Sequence, residues 1–318
     1  MKLFVAGGAG FIGSNFVRWI LRERAEVEVT NYDLLTYAGN LANLHDIEED
    51  PRYRFVKGDI CDTSLLEDTL PGHDAILNFA AESHVDRSID WAAEFVRTNV
   101  LGTNALLDVA RRLRIPRFLQ VSTDETYGSI DVGSFREDDR LDPSSPYSAS
   151  KAAGDMLVRA YHKTYGMPVL ITRGANTFGP YQYPEKVIPL FVTNLLEGSP
   201  VPLYGDGLNV RDWIHVEDVC SAIGAVLDRG EVGMIYNIAA GNERTNLELS
   251  HTLCDLLAKP YSLITPVADR LGHDRRYSVD TTRLRGLGWK PARSFDEALR
   301  STVDWYIENR WWWEPLRG

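Results

Sequence analysis

Residues 3–13 read LFVAGGAGFIG, a short apolar run that opens directly into a cluster of glycines. The FIGSNFVRWILRE that follows (11–23) has apolar residues at 12, 16, 17, 20 and 21, the spacing of one helix face. Gly8, Gly10 and Gly13 satisfy G-x-G-x-x-G, and Gly7, Gly10 and Gly13 satisfy the looser G-x-x-G-x-x-G. Strand, glycine turn and helix in this order place a pyrophosphate on a helix N-terminus, where unpaired N–H groups and the helix dipole favour an anion. VEVTNYD (27–33) reads as a second strand ending in Asp33, twenty residues after Gly13. A carboxylate there accepts hydrogen bonds from an adenosine ribose and repels a 2′-phosphate, so the expected dinucleotide is NAD and not NADP.

RFVKGDI (54–60) and AILNFAA (75–81) continue the alternation of apolar strands with helical segments. This pattern predicts an α/β fold built on a doubly wound parallel (Rossmann) sheet. Asp59, at a strand end, either binds adenine or caps the helix that begins near Thr63. A single long helix is expected over 91–113, carrying Thr98 and Asn99. Its apolar content suits either a subunit interface or plain packing on the sheet. FLQVS (118–122) and MPVLITR (167–173) read as further strands.

Beyond Arg173 the texture changes. GANTFGPYQYPEK (174–186) reads as a structured loop, VIPLFVTNLLEG as a helix, VPLYGDG as a strand and turn, and NVRDWIHVEDV as the entry to another helix. MIYNIAA (234–240) has the character of a core strand. The expected division is a cofactor domain over 1–173, to which the chain returns at about 206–240. A smaller C-terminal substrate-binding α/β domain takes 174–205 and 241–318. The chain ends in the helical FDEALRSTVDWYIENRWWWEPL, whose three successive tryptophans cannot share one helix face and are expected to pack.

Two motifs carry chemistry. STDETYG (122–128) holds a hydroxyl and two adjacent carboxylates, Thr123, Asp124 and Glu125, and YSASK (147–151) sets Tyr147 and Lys151 four apart on one helix face. An ammonium beside a phenol favours phenolate, which makes Tyr147 a candidate acid/base for a hydroxyl proton. Oxidation alone has no use for two further carboxylates, whereas elimination of water does. For both to reach one substrate, the strand must end near Thr123, because consecutive strand residues point to opposite faces.

The 318 residues, 44% hydrophobic and 10% aromatic, support a sizeable core. A net charge of −11 disfavours nucleic acid or an anionic membrane as partner. Cys61, Cys220 and Cys254 are scattered and odd in number, so neither a disulfide framework nor a metal site is expected. No run reaches the roughly 18 apolar residues of a membrane span, and LFVAGGAGFIG lacks a cleavage site. A reducing, cytoplasmic setting is the expectation.

Together these residues resemble the extended short-chain dehydrogenase/reductase family, and within it the branch that dehydrates dTDP-glucose at C4 and C6. The resemblance runs through GGAGFIG (7–13), YDLLTYAGNLANL (32–44), GDICD (58–62), AAESHVDRSI (80–89), STDETYG, YSASK, GPYQYPEKVIPLF (179–191), LYGDGLNVRDWIHVED (203–218) and DRLGHDRRY (269–277). The Asp-Glu pair is its most discriminating part. The resemblance implies Thr123, Asp124, Glu125, Tyr147 and Lys151 as catalytic residues. Thr123 and Tyr147 would serve the sugar O4, Glu125 would take the C5 proton, and Asp124 would protonate the departing C6 hydroxyl. NAD would be regenerated in each cycle. NAD would contact Gly7, Gly10, Phe11, Ile12, Gly13, Asp33, Asp59, Ile60, Ala80, Thr98, Tyr147 and Lys151.

Glu82 and Ser83 would line the sugar pocket. Asn176, Arg211, Arg270 and His273 would meet the diphosphate, with Lys186 on the nucleotide side and Asn246 beside the base or phosphate. A homodimer is implied by the resemblance alone. The competing local readings make Arg211–Asp212 a surface ion pair and His273, beside Asp274, a packing histidine; His84 and Asp86 are read as structural. Thr126, Thr177 and Phe178 depart from the family pattern, and a buried Thr126 hydroxyl would need a partner. A C4 epimerase and a non-catalytic NAD-dependent regulator are the alternatives.

Overall fold

The computed structural model describes residues 1–317. Twelve strands appear in chain order: β1 (Lys2–Ala6), β2 (Glu28–Asp33), β3 (Tyr53–Lys57), β4 (Ala75–Asn78), β5 (Phe118–Thr123), β6 (Val169–Gly174), β7 (Asn176–Phe178), β8 (Val201–Tyr204), β9 (Val210–His215), β10 (Ile235–Ile238), β11 (Glu243–Thr245) and β12 (Ile264–Val267). Seven of them form one parallel sheet in the order β10-β6-β5-β4-β1-β2-β3. The chain winds outward from β1 through β2 to β3, then returns to place β4 on the other side of β1. The glycine turn that leaves β1 therefore opens at the point where strand order reverses, where such sheets bind ligands.

Both faces of this sheet are buried. One side carries Leu3, Val5, Phe16, Ile20 and Ile223; the other carries Phe4, Tyr32, Leu106, Phe118 and Ile171. Near-continuous apolar strands follow from burial on both sides. A third apolar cluster, with Phe178, Phe191, Trp213, Leu299, Tyr306 and Trp313, packs beside small sheets of β11-β9-β7 and β12-β8. MIYNIAA supplies β10, at the edge of the large sheet against β6.

Four elements differ from their sequence reading. Asn176–Phe178, inside the stretch read as a loop, is strand β7, because it pairs with β9. The single helix expected over 91–113 is Ala92–Val96, a π-helical stretch Arg97–Gly102, and Thr103–Arg112. Within the wide turn, Asn99 exchanges hydrogen bonds with the Glu82 backbone at 2.9 and 3.0 Å and donates to Ser150 Oγ at 2.8 Å. Such bulges let one side chain reach out of helical register. RDWIH is strand β9, and the helix begins only at Val216, because β9 pairs on both sides, with β7 and β11. The terminal helix stops at Glu308 and restarts at Arg310, with Asn309 between them at φ −113°.

Candidate active site

Gly7 has φ +78°, and a Cβ there would lie 2.4 Å from the Ala80 amide nitrogen. The turn thus needs glycine at this position for conformation and for close approach to the strand-β4 exit. At Gly10 a Cβ would meet nothing nearer than the Gly7 carbonyl at 3.4 Å. No protein neighbour demands glycine there; the space in front of it opens on a cavity. Asp33 closes the end of β2 and accepts from the Ala9 amide at 2.9 Å and the Leu35 amide at 2.8 Å. Burial nonetheless pushes its carboxyl above the usual range.

Every residue assigned to NAD from the sequence lines this one cavity, from Gly7 through Asp33 and Asp59 to Tyr147 and Lys151. Glu82, Ser83 and Lys186 line it too. The glycine turn, the space before Gly10 and the buried Asp33 carboxylate fit a dinucleotide with free ribose hydroxyls. Asp59 is not a helix cap: Asp62 takes that role by accepting from the Leu65 amide at 3.1 Å. Asp59 instead accepts from the Cys61 amide at 2.8 Å and pairs with Arg97.

Tyr147 owes its place to the helix start. Ser145 caps Pro146–Tyr165 through a reciprocal bond with Ser148, and Pro146 presets the first turn. Tyr147 thus falls in the first turn and Lys151 one turn later. Lys151 Nζ donates to the Val121 carbonyl of β5 at 2.8 Å, and burial draws its pKa down to about 8 while Asp155 opposes the shift. The Tyr147 phenol is held well above its ordinary value, first by burial and then by the Glu125 and Asp124 charges, against a hydrogen bond with Thr123 that lowers it.

Strand β5 ends at Thr123, where the sequence required it to end, and Asp124–Tyr127 turn into a 3₁₀ helix closed by Gly128 at φ +84°. The turn brings both carboxylates to one end of the sheet. The Thr123 hydroxyl donates to Asp124 Oδ1 at 3.4 Å and accepts from the Glu125 amide at 3.3 Å. Thr126 places its hydroxyl on the Thr123 carbonyl at 2.9 Å, which supplies the partner a buried hydroxyl needs.

Burial raises both carboxyls, but their neighbours differ. Asp124 is raised well above the normal range, with Glu125 and Asp212 adding to burial against one cation, Arg211. Its Oδ2 is buried without a hydrogen-bond partner. Glu125 faces three cations, Arg270, Arg211 and Lys186, each favouring its charge against burial and Asp274. Burial thus favours the neutral form of both, and only at Glu125 do three cations work against it.

Of the remaining assignments, Arg211, Arg270 and Lys186 act on the same pair. Arg211 is buried, donates to the Val210 and Asp274 carbonyls at 2.7 and 2.9 Å, and lies 4.0 Å from the centre of the Tyr277 ring. It forms no pair with Asp212, whose carboxylate accepts from the backbone of Ala240, Gly241 and Asn242. His273 pairs with Asp269 at 2.6 Å and not with Asp274. Arg270 lies 3.9 Å from Asp86 with its Nε buried and unpartnered, and Asn176 Oδ1 is likewise unpartnered. Lys186 Nζ donates to the Ser83 carbonyl at 2.9 Å and favours the charged form of Glu125. Asn246 opens the helix that follows β11 and donates its amide to the Asn209 carbonyl at 3.1 Å.

Thr177 donates to Ala175 O at 3.1 Å, and Phe178 is buried against His215 and Phe295. Sequence reasoning passed over Tyr37, which lines the cavity and acts on Tyr147, and over Tyr277, on which Arg211 rests. The only signal for Tyr37 was its place in YDLLTYAGNLANL.

The model of the GDP-mannose 4,6 dehydratase family matches residues 4–302. A dTDP-glucose 4,6-dehydratase of Streptomyces niveus is 52% identical over 323 residues, covering 100% of this chain and 96% of its own. The crystal structure of a dTDP-glucose 4,6-dehydratase from Streptomyces venezuelae, with NAD bound, superposes at a TM-score of 0.98. It is 56% identical and covers 99% of this chain and 100% of that one. A UDP-glucose 4-epimerase of Thermotoga maritima shares the architecture at a TM-score of 0.90 and 28% identity, covering 98% and 100% of the two chains.

Proposed function

This chain belongs to the dTDP-glucose 4,6-dehydratase family, and on that premise we propose how its residues divide the NAD-dependent conversion of dTDP-D-glucose to dTDP-4-keto-6-deoxy-D-glucose. When bound, NAD supplies a cationic ring that takes up hydride from C4 of the sugar and returns it at C6. Thr123 and Tyr147 hold the O4 hydroxyl, and Tyr147 receives its proton. Tyr147 and Lys151 line the cofactor cavity, so positive charge there favours the phenolate that burial disfavours. With C4 a ketone, the C5 hydrogen is acidic, and Glu125 removes it. Asp124 delivers its proton to the C6 hydroxyl, which leaves as water. Glu125 then returns a proton to C5, and the proton collected at Tyr147 replaces the one Asp124 gave.

Glu82 and Ser83 line the sugar pocket. The buried Arg211 and half-buried Arg270 offer the positive charge a diphosphate needs, with Asn176 and His273 beside them and Asn246 toward the base. The observation that carries this reading is the opposed surroundings of Asp124 and Glu125, because a C4 epimerase has no use for a neutral and an ionised carboxyl side by side. Incubation with dTDP-glucose and UDP-glucose in deuterated water, with products read by mass and NMR, tests it. A 4-keto-6-deoxy product with deuterium at C5 is expected; recovery of the C4 epimer alone would overturn the assignment.

We also propose a homodimer formed through Val85–Asp90, the segments after it and Pro146–Tyr165. Trp91, Val96, Leu101 and Met156 stand exposed on these neighbouring helices, an apolar patch that favours a partner surface. The three cysteines are free, which agrees with a cytoplasmic setting. No helix among the described residues is long and apolar enough to cross a membrane.

A further inference from the structure

The tryptophan run at 311–313 takes no part in the chemistry above, and its members have separate fates. Trp311 is 51% exposed, whereas Trp312 and Trp313 are buried. Trp313 donates its indole N–H to Tyr306 O at 2.7 Å, which ties it to the helix just before its own. Trp312 reaches across the molecule. Its indole N–H donates to Asn43 Oδ1 at 2.8 Å, and Asn43 Nδ2 donates in turn to the Ala9 carbonyl in the glycine turn at 2.9 Å. The same carbonyl accepts from the Asn40 amide at 3.0 Å. Trp312, Asn43 and Asn40 line the cofactor cavity together with Gly10. Behind Trp312 stand Tyr181 at 5.6 Å and Trp305 at 5.3 Å between ring centres, so its position is fixed by the third apolar cluster.

We propose that Trp312 and Asn43 form a clasp that retains the dinucleotide, with Trp312 a positioning residue acting through Asn43 on the glycine turn. This rests on the NAD-dependent reading above. The reaction oxidises and then reduces one sugar with one cofactor molecule, so a cofactor that departs between the two steps strands an oxidised sugar. A turn held from the far end of the chain resists the opening through which the cofactor leaves.

The test is the dissociation of NAD from the full-length protein, measured without any sugar by chasing loaded protein with a second NAD-binding dehydrogenase. Trp312→Phe keeps an aromatic ring and deletes the N–H, leaving a buried acceptor unpaired; dissociation should be faster on the order of ten-fold. Asn43→Ala should act in the same direction. Adding Trp312→Phe to it should change the rate by no more than about two-fold, since the pair acts as one unit. Trp311→Phe should leave the rate unchanged. Addition of NAD to the unmodified chain should also slow backbone hydrogen exchange over 309–317, which keeps the test open if a variant does not fold.

A folded Trp312→Phe protein that releases NAD within about two-fold of the parent rate would overturn the clasp. So would exchange over 309–317 that is indifferent to NAD. Tight NAD binding without turnover of dTDP-glucose would count against the proposed chemistry and leave the clasp standing.

Discussion

Asp124 and Glu125 are joined by one peptide bond, yet their carboxyls meet opposite fields: Asp124 has a buried, unpartnered Oδ2 and a single opposing cation, while Glu125 is surrounded by Arg270, Arg211 and Lys186. Burial favours the neutral form of both, and three cations oppose it at Glu125 where one does at Asp124. This asymmetry supports the proposal of Asp124 as the acid and Glu125 as the base. In a coupled pair the two protons belong to the pair, but the order in which they leave is set by these neighbours.

Removing either carboxyl should therefore separate the halves of the reaction. Asp124→Asn and Glu125→Gln should each slow water elimination by about 10²–10⁴-fold, the usual contribution of a positioned acid or base. Oxidation at C4 should persist in both and be visible as reduced-nicotinamide absorbance. Tyr147→Phe should suppress that absorbance itself. Normal turnover by Glu125→Gln would remove Glu125 from the role of base.

The alkaline limb of the rate profile should report Lys151. Its ammonium, drawn down to about 8, is charged below that pH and neutral above it. If the charge supports oxidation through Tyr147, kcat/KM for the parent enzyme should fall as pH rises through about 8. Lys151→Arg, which stays charged, should move the limb upward. A profile flat to pH 10 would show that the ammonium charge is not required.

Below the site, the Arg173 guanidinium donates to Asp155 Oδ2 at 2.9 Å with both side chains buried, and it lies 4.7 Å from the Tyr127 ring centre. Tyr127 belongs to the 3₁₀ helix that carries the carboxylates, and its hydroxyl donates to Asn237 Oδ1 at 2.8 Å. Asp155→Ala strands a buried cation and should destabilise by about 3–5 kcal/mol. Replacing both partners, Asp155→Leu with Arg173→Met, should recover much of that loss. Denaturant melts of the singles and the double decide between a pair that stabilises and one that is merely tolerated.

Two glycines of the same motif should fail differently. Gly7→Ala puts a Cβ on the Ala80 backbone at positive φ and should lower stability by about 1–3 kcal/mol or more. Gly10→Ala meets no protein atom closer than 3.4 Å, so its melting should stay within about 0.5 kcal/mol of the parent. NAD affinity should nonetheless fall, because the new methyl group enters the cavity. Calorimetric melts set beside NAD titrations test the contrast, and unchanged affinity in Gly10→Ala would place the pyrophosphate elsewhere.

The sequence by itself determined the parts whose cause is local. LFVAGGAGFIG dictates a strand, a turn that only glycine can make and a helix, because φ, close approach and periodicity are properties of neighbours in the chain. Asp33 at the end of the next strand, the one-turn spacing of Tyr147 and Lys151, and the need for β5 to end at Thr123 were legible for the same reason. Other features were not. The π-helical turn at 97–102 depends on Glu82 and Ser150 drawing Asn99 out of register, and RDWIH is a strand because β7 and β11 pair with it.

Only the tertiary structure decided how the site is charged and closed. The cations around Glu125 come from Lys186, Arg211 and Arg270, far apart in the chain and brought together only by folding. Burial and the Glu125 and Asp124 charges raise the Tyr147 phenol, a field that the spacing of Tyr147 and Lys151 does not record. The bond from Trp312 to Asn43 spans 269 residues. Electrostatic fields, desolvation and contacts between distant segments act through space, and no pattern of neighbours in a sequence records them.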